Sequence, residues 1–514
     1  MKNNLKLNLL DLLCSLAGGL VIGLAVAVYS PGLFLTGWLG AGVISLIVLF
    51  ALLKVWRGLG TGRTIGIIML VTLVVRIVFG IFSYTVLPVW GYDTPTQNAG
   101  FFYSDAQGRD FDAYDIAQRK SPLYTAFTNL EVTDQYGGMM FLSALVYRTL
   151  SPDVSRPLLI TLLAAFAMAA GVAFLFAAIK SRWSGKIAIW AAWIFALYPD
   201  GILVGSSQMR EPFLMGLACI AFWAILQWRE KPFKAVIIPV ITMAAACPFS
   251  VPSALVLAVI LAAIFVLDWS LHQQEKTKKA IGISVLAFLG CAAIAGGWLW
   301  LRETLYYDTF TTISSSGWIT SLIENFGEQW KVPFVTIYGL TQPLLPAAIF
   351  EPSLPFWVTI AIIRGLAWYA ALPLLLYGFF AMWKKNEEKN WLIRLLYIIF
   401  FIWVVVSSAR AGGDLWDNPR YRFILLPFMA LIIAWAAERF QQTHSPWLWR
   451  WTAVIGVFLL IFTNFYANRY TSNLGVYIPF AHMVGLIIII SVLILGTGFF
   501  MDTIQKKKIM DNHE

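Results

Sequence analysis

Apolar runs of about 20 residues recur along the whole chain, and no other feature limits its possible folds as strongly. Each run is long enough to cross the hydrocarbon core of a bilayer, which is roughly 30 Å thick. Because lipid offers no partner to backbone N–H and C=O groups, an isolated apolar run must satisfy them internally as a helix. The mean hydropathy of +0.74 over 514 residues agrees with this pattern. The sequence therefore predicts an all-α polytopic membrane protein.

The apolar runs predict about 14 transmembrane helices. Their approximate limits are 7–29, 33–53, 64–87, 157–179, 187–199, 212–228, 235–247, 252–267, 280–300, 356–382, 391–408, 422–437, 451–467 and 478–500. Most of the 37 Lys and Arg residues fall in alternate connecting segments that include the N-terminal one, and most of the 27 Asp and Glu residues fall in the others. By the positive-inside rule, both termini are predicted to lie in the cytoplasm, with the chain in the plasma (inner) membrane.

Two of the predicted extracytoplasmic segments are long, at about 88–156 and 301–355. The apolar stretch 137–150 in the first is too short to span comfortably, and we expect it to lie along the outer interface as a helix. The resulting organisation is an accessory transmembrane hairpin at 1–60, a catalytic transmembrane core at 61–440, and a C-terminal transmembrane pair with a short basic cytoplasmic tail at 441–514.

The stretch 102–118, "FYSDAQGRDFDAYDIAQ", is unusually acidic for a chain in which only 12% of the residues are charged. Its four aspartates are Asp105, Asp110, Asp112 and Asp115, and aromatic residues are interleaved with them. A solvated acidic surface is the simplest interpretation, but the aromatic residues are not typical of one. We expect an extracytoplasmic loop held against the membrane.

Two further charged groups lie where predicted spans meet the outer surface. Arg210 and Glu211 open an apolar span, and Arg420, Tyr421 and Arg422 precede a late one. Ionisable residues at membrane depth are costly and usually serve a site, and guanidinium groups suit bidentate phosphate contacts. Headgroup pairing or snorkelling of the arginines stays open as an alternative. Arg76 and Arg364, inside apolar spans, would also suit an anionic ligand.

Outward carboxylates beside membrane-level arginines suit a lipid-linked sugar phosphate as substrate. A carboxylate can take the proton from an acceptor hydroxyl as that oxygen attacks the anomeric carbon. Arginines can hold the phosphate and stabilise its charge as it leaves. The lipid tail would stay in the bilayer, and we predict no nucleic-acid partner.

The order of these features resembles the GT-C superfamily of membrane glycosyltransferases. The features are the acidic-aromatic first outer loop, the interfacial helix, Arg156 at a span entry, a basic inner turn at 180–186, a short span ending in Tyr198-Pro199, and then Arg210-Glu211. Within the superfamily the chain looks most like the polyprenyl-phosphate-dependent family 39 group, which includes protein O-mannosyltransferases and lipid A aminoarabinose transferases. The segment "NPRYRFILLPFMALIIAWA" (418–436) is similar to their late span, and the resemblance covers roughly 64–440.

The resemblance implies an inverting transfer of a sugar from a polyprenyl-phosphate donor on the extracytoplasmic face, with a first-loop Asp as general base. Asp105 in "YSDA" matches that position, and Asp112 is its competitor. Glu211 matches the second acidic position of the superfamily. The predicted donor- and acceptor-binding residues are Arg210, Glu211, Tyr103, Arg420, Tyr421 and Arg422. We predict no metal or other cofactor, with a divalent metal as the open alternative.

Two other functions stay open from the sequence. A polysaccharide polymerase or ligase that uses lipid-diphosphate substrates would also have many spans, a long outer loop and arginines. A non-enzymatic transporter or flippase of lipid-linked glycans would place charge near the midplane, often within paired repeats, and no repeat is visible here. The acceptor, whether glycan, lipid or protein, and the identity of the sugar are not readable from the sequence.

Overall fold

A computed structural model describes residues 9–128, 134–292, 295–296, 327–383, 390–412, 414, 417–471 and 474–511. All regular elements of these residues are helices. Ten of the described helices are long and apolar enough to cross a membrane, or eleven if one bent pair counts as a span. This agrees with the predicted all-α polytopic class. The chain divides into two compact units, Met1–Tyr306 with Arg420–Leu431, and Tyr307–Pro419 with Ile432–Glu514.

A 3₁₀ helix at Phe423–Leu425 belongs to the first unit, and the described α-helices that lie wholly within this unit precede residue 293. They are α1 (Leu9–Tyr29), α2 (Phe34–Leu59), α3 (Arg63–Trp90), α4 (Pro95–Asn98), α5 (Ser104–Gln118), α6 (Thr125–Thr128), α7 (Gly138–Leu150), α8 (Pro157–Lys180), α9 (Gly185–Leu197), α10 (Pro199–Gly205), α11 (Glu211–Leu226), α12 (Pro232–Ala246) and α13 (Val251–Leu271), followed by α14 over 276–292.

The described helices of the second unit are α15 (Lys331–Thr341), α16 (Leu345–Phe350), α17 (Pro355–Ala381), α18 (Trp391–Ala411), α21 (Trp447–Tyr470) and α22 (Phe480–Asp511). Two helices, α19 (Asp417–Arg422) and α20 (Leu426–Thr443), have residues in both units. Asn418 secures the start of α19, because its side-chain amide donates to the carbonyls of Gly339 at 3.0 Å and Gly412 at 2.6 Å.

The predicted spans fall on helices wherever the structure describes them. The span predicted at 280–300 lies partly outside the described residues, as does the outer segment predicted at 301–355. Helices α11 and α12 have only 16 and 15 residues, which is short for a crossing. The count of 14 spans and the limits of the three predicted segments therefore stay predictions.

Helix α8 is central to the first unit, where it packs against α2, α3, α9 and α11. It is apolar around its whole circumference and rich in alanine, and small residues allow helices to approach closely. Gly216 of α11 shows how close this approach is. A Cβ atom at that position would lie 2.6 Å from the carbonyl oxygen of Ala167 in α8.

The turn between α1 and α2 is clamped to the segment that precedes α8. The guanidinium of Arg156 forms two hydrogen bonds with the carboxylate of Asp153, at 2.6 and 2.7 Å. The same two side chains hold the backbone of Leu33. Arg156 donates to its carbonyl at 3.0 Å, and Asp153 accepts from its N–H at 2.9 Å. The α1–α2 hairpin is therefore tied to the segment before α8 by one ion pair and two backbone hydrogen bonds.

Helices α9 and α10 meet at a bend of 54°. Pro199 causes the break, since proline has no N–H to continue the backbone ladder. Arg76 of α3 donates to the carbonyl of Ala196 at 2.9 Å, close to the end of α9. A cation is stabilising at the C-terminus of a helix. The described hydrogen bonds of Arg76 use only its Nη1 atom, whereas Nε and Nη2 have no described partner, so the suggested anionic ligand stays a prediction. Arg364 is buried in α17 of the second unit.

The acidic stretch forms a helix, α5, within the segment 88–156 that was predicted as an outer loop. The sequence pattern did not predict this helix. Its sequence supports helix formation through ion pairs of i,i+4 spacing, Asp105 with Arg109 and Asp115 with Arg119. Helix α7, predicted as an interfacial helix, packs against α5. Arg148 of α7 donates to the carbonyl of Ile116 at 2.8 Å and so satisfies an acceptor near the C-terminus of α5.

Candidate functional site

The helical form of α5 distributes its four aspartates around the helix axis. At 3.6 residues per turn, Asp105 and Asp112 lie about 20° apart, whereas Asp110 is about 140° from Asp105. Asp115 forms a peripheral ion pair with Arg119 at 2.8 Å. Asp110 is buried and accepts a hydrogen bond from Tyr147. The aspartates that the sequence groups together therefore have separate environments.

Asp105 belongs to a cluster of two carboxylates and two arginines. Its Oδ2 atom lies 3.5 Å from Nη2 of Arg109 and 3.5 Å from Nη1 of Arg420. Arg420 also approaches the carboxylate of Glu211, with 3.4 Å between Nε and Oε1. The side chain of Asp105 is 42% exposed, whereas those of Arg420 and Glu211 are 6% and 3% exposed. The cluster is thus buried on the arginine side and open at Asp105.

Two tyrosine rings flank the guanidinium of Arg420. The ring centroids of Tyr103 and Tyr421 lie 5.6 and 5.2 Å from the guanidinium carbon. Cation–π contacts of this kind stabilise a cation and restrict its position. Tyr103 immediately precedes α5, and it is buried. The rings therefore hold Arg420 at the cluster.

Glu211 reaches the cluster as the first residue of α11, where Pro212 follows it. A carboxylate in the first helical turn is favoured by the helix dipole. No described hydrogen-bond donor contacts its second oxygen, Oε2. An acceptor in a buried position without a donor is costly. This oxygen is therefore available to a ligand or a water molecule.

Arg210 lies beside the cluster without direct contact to its carboxylates among the described pairs. Its guanidinium lies 5.4 Å from the ring centroid of Tyr136. Burial lowers the pKa of Arg109, and the positive charge of Arg210 lowers it further, while nearby carboxylates such as Asp105 oppose the shift. Arg109 also donates to the carbonyl of Gln208 at 3.4 Å. The three arginines 109, 210 and 420 thus meet at the start of α11.

The structure brings five of the eight residues predicted from sequence into this cluster, namely Asp105, Glu211, Tyr103, Arg420 and Tyr421. Arg210 is adjacent. Arg422 is fully buried, and on the short helix α19 it lies about 200° around the axis from Arg420. The two side chains therefore leave α19 on opposite sides, and the role of Arg422 in phosphate binding stays a prediction. Asp112 is half-buried and lies two turns along α5 from Asp105.

Arg109 is a site residue that sequence reasoning did not identify. The sequence does contain a signal for it, because Arg109 follows Asp105 by four residues. In a helix this spacing places the two side chains on the same face. The sequence also contains a D-x-D triplet, Asp110-Phe111-Asp112, which the prediction of no metal overlooks. On a helix its two carboxylates point about 200° apart. No group of three His, Cys, Asp or Glu side chains suited to a metal occurs among the described residues.

No protein-family model and no curated protein matches the sequence. One solved structure that is similar to the chain is the archaeal oligosaccharyltransferase AglB from Archaeoglobus fulgidus, in complex with an inhibitory peptide and a dolichol-phosphate. The TM-score is 0.36 and the sequence identity is 12%. The match covers 85% of this chain and 55% of that chain, so it spans about half of the archaeal protein. A TM-score this low carries no argument about fold or function.

Proposed function

We propose that the protein is a membrane glycosyltransferase of GT-C type that moves a sugar from a polyprenyl-phosphate donor to an acceptor on the extracytoplasmic face. The observation that carries the proposal is the cluster of Asp105, Arg109, Glu211 and Arg420. It joins a partly exposed carboxylate to buried guanidinium groups, in a protein whose helices are apolar enough to lie in lipid.

Asp105 is the proposed general base. Among the four aspartates of α5, it combines partial exposure with two arginine contacts. Asp110 is buried on another side of the helix, and Asp115 is paired with Arg119. In the transfer, the carboxylate takes the proton from the acceptor hydroxyl as its oxygen bonds to the anomeric carbon. The bond from that carbon to the phosphate oxygen breaks on the opposite face, which inverts the configuration.

Arg420 and Arg109 are the proposed phosphate ligands. Both guanidinium groups lie within 3.5 Å of Asp105, so a phosphate bound by them would be close to the base. Positive charge held at this point stabilises the charge that develops on the leaving phosphate. A phosphate at Arg420 would also compete with Asp105 for the same guanidinium. Donor binding would then free the carboxylate for its role as base.

Mass spectrometry of cell-envelope glycans, compared between cells with and without the protein, tests this function. The test does not require the sugar of the donor to be known in advance. Cells that lack the protein are complemented with wild type, Asp105→Asn, Asp112→Asn or Asp115→Asn. The amide keeps the shape of the carboxylate but removes its basicity. Removal of a general base lowers turnover by roughly 10²–10⁴-fold, so Asp105→Asn should not restore the missing glycan, whereas the matched control Asp115→Asn should.

The other outcomes are equally specific. Loss of the glycan with Asp112→Asn and its retention with Asp105→Asn would assign the base to Asp112. An unchanged glycan profile in the absence of the protein would contradict the proposed function. Accumulation of a lipid-diphosphate oligosaccharide would favour a polymerase or ligase. Accumulation of a lipid-linked glycan on the cytoplasmic leaflet would favour a flippase.

A further inference from the structure

A cavity lies on the side of α5 that faces away from Asp105. Its volume is about 520 Å³, within the range of small-molecule sites. Helix α5 forms one wall through residues such as Ser104, Gln107 and Phe111. The opposite wall comes from α3 through Tyr84, the turn between α1 and α2, and the segment before α8.

The helical geometry of α5 separates this cavity from the cluster at Asp105. Relative to Asp105, the side chains of Gln107, Phe111 and Tyr114 leave the helix at about 200°, 240° and 180°. Arg109 leaves it at about 40°, together with Asp105. The two faces of one helix therefore carry two different environments.

Aromatic rings form much of the cavity lining. They belong to Tyr84, Phe101, Phe111 and Tyr114. Aromatic residues offer a flat apolar surface, and tyrosine adds a polar tip. Phe111 is 74% exposed. Exposure of a phenyl ring to water is unfavourable, because the ring has no polar atom. Its exposure beside a cavity is suited to stacking against the face of a ligand ring.

The polar groups of the cavity are neutral or acidic. Ser104, Gln107, Asp110 and Ser155 line it, and none of its described lining residues is basic. Asp110 already accepts a hydrogen bond from Tyr147, with Ser155 and Gln208 close to its carboxylate, and a carboxylate has about four acceptor positions. It therefore has capacity for one more donor. A phosphate would be repelled, whereas a ligand hydroxyl would be accepted.

We propose that this cavity binds an uncharged, hydroxyl-bearing pyranose unit of the acceptor. The apolar face of the ring stacks on the aromatic side chains, and its hydroxyl groups bond to Asp110 and the two serines. This assignment rests on the proposed function, since it makes the acceptor a glycan or a glycolipid. Helix α5 then separates the phosphate of the donor from a sugar of the acceptor.

Saturation-transfer NMR on the full chain in nanodiscs tests the proposal directly. The probes are the methyl pyranosides of glucose, galactose, mannose and N-acetylglucosamine. We expect at least one of them to receive saturation from the protein. Phe111→Ala removes a stacking surface, and Ser104→Trp fills the cavity, so each should reduce the signal several-fold. Tyr124→Ala is the matched control, because Tyr124 is 64% exposed nearby but does not line the cavity.

Two results would overturn the proposal. One is the absence of saturation transfer to all four pyranosides, or transfer that Phe111→Ala and Ser104→Trp leave unchanged. The other is a phospholipid that native mass spectrometry finds bound to wild type and not to Ser104→Trp. Failure of the pyranose-binding proposal can be distinguished from failure of the proposed transferase function. Asp105→Asn should abolish glycan synthesis without reducing pyranoside binding, and the cavity variants should not reduce polyprenyl-phosphate binding.

Discussion

Arg420 contacts both carboxylates of the cluster, so its replacement tests the proposed donor site most directly. We predict that Arg420→Ala weakens the binding of polyprenyl phosphate by about 10- to 100-fold, the effect of one lost charge-assisted contact. Arg420→Lys should recover only part of the affinity, because an ammonium lacks the planar fork. Titration of nanodisc-embedded protein with polyprenyl phosphate would measure this.

Two other arginines serve as controls for this prediction. Arg119→Ala removes a positive charge from an exposed position that follows α5, and it should leave the affinity unchanged. Arg422 is fully buried, so Arg422→Ala should lower the melting temperature, unlike Arg119→Ala. Equal affinity for the donor lipid in wild type and Arg420→Ala would rule out Arg420 as a phosphate ligand.

Asp110 gives the folded protein a dependence on pH. Burial raises the pKa of its carboxyl to about 6, while hydrogen bonds from Tyr147, Ser155 and Gln208 oppose the shift. Because the folded-state pKa lies above the unfolded value, the contribution to stability is fully present below about pH 4 and is lost as the pH rises through about 6. The difference between a pKa of about 6 and the ordinary value of 3.8 corresponds to about 3 kcal/mol at most.

We therefore predict that Asp110→Asn removes this component of the pH dependence. The melting temperature of the variant minus that of wild type should increase between about pH 4 and pH 7. Asp115→Asn is the control, since it changes an exposed carboxylate of the same helix. A constant difference across this range would show that Asp110 does not titrate there. Tyr84 and Tyr147 also face Asp110, but tyrosine ionises only well above this range.

At the scale of elements, the clamp at Asp153 holds the α1–α2 hairpin against the segment before α8. The hydrogen bonds from Arg156 lower the pKa of Asp153 to about 2, with the backbone N–H of Leu33 as a further donor. Because this pKa is depressed, the clamp is fully present above about pH 4 and is lost only as the pH falls through about 2. It should therefore be intact at physiological pH.

We predict that Arg156→Ala increases amide hydrogen exchange in the turn between α1 and α2 severalfold, with little change in α3. The variant loses the hydrogen bond to the Leu33 carbonyl. It also loses the ion pair that orients Asp153, the acceptor for the Leu33 N–H. Asp115→Asn breaks a peripheral ion pair of low energetic value and should leave this turn unchanged. Exchange mass spectrometry in nanodiscs measures both. Protection of the turn in Arg156→Ala equal to wild type would mean that lipid and helix packing alone hold the hairpin.

The end of α10 packs closely against Arg76 of α3. A Cβ atom at Gly205 would lie 2.5 Å from Nε and 2.8 Å from Cδ of Arg76. We predict that Gly205→Ala destabilises the protein by about 1–3 kcal/mol through overpacking. Gly58→Ala is the matched control, since a Cβ there meets nothing within 4 Å, and alanine should be neutral or stabilising in that helix. Equal melting temperatures for the two variants would contradict the contact.

At the scale of the whole molecule, hydrophobic patterning located the helices because lipid permits few alternatives. The same reasoning did not establish that the acidic stretch is helical, since its stability depends on contacts with α7. Hydrophobic patterning also gives no distances between residues that are far apart in the sequence. Arg420 meets Asp105 across 315 positions, and only the folded chain shows this contact. The sequence thus showed which residues could take part in binding or catalysis, whereas the structure was needed to show which of them lie together.

Membrane orientation follows from charge alone and stays a prediction that cysteine labelling can test. The four native cysteines, Cys14, Cys219, Cys247 and Cys291, are first replaced. We predict that Tyr124→Cys reacts with a membrane-impermeant maleimide in intact cells, whereas Lys278→Cys reacts only after permeabilisation. Both positions are exposed. Tyr124 reports on Asp105 because the intervening residues are α5 and a short turn, with no helix long enough to span. The reverse labelling pattern would place Asp105 in the cytoplasm, where an extracytoplasmic transfer could not use it.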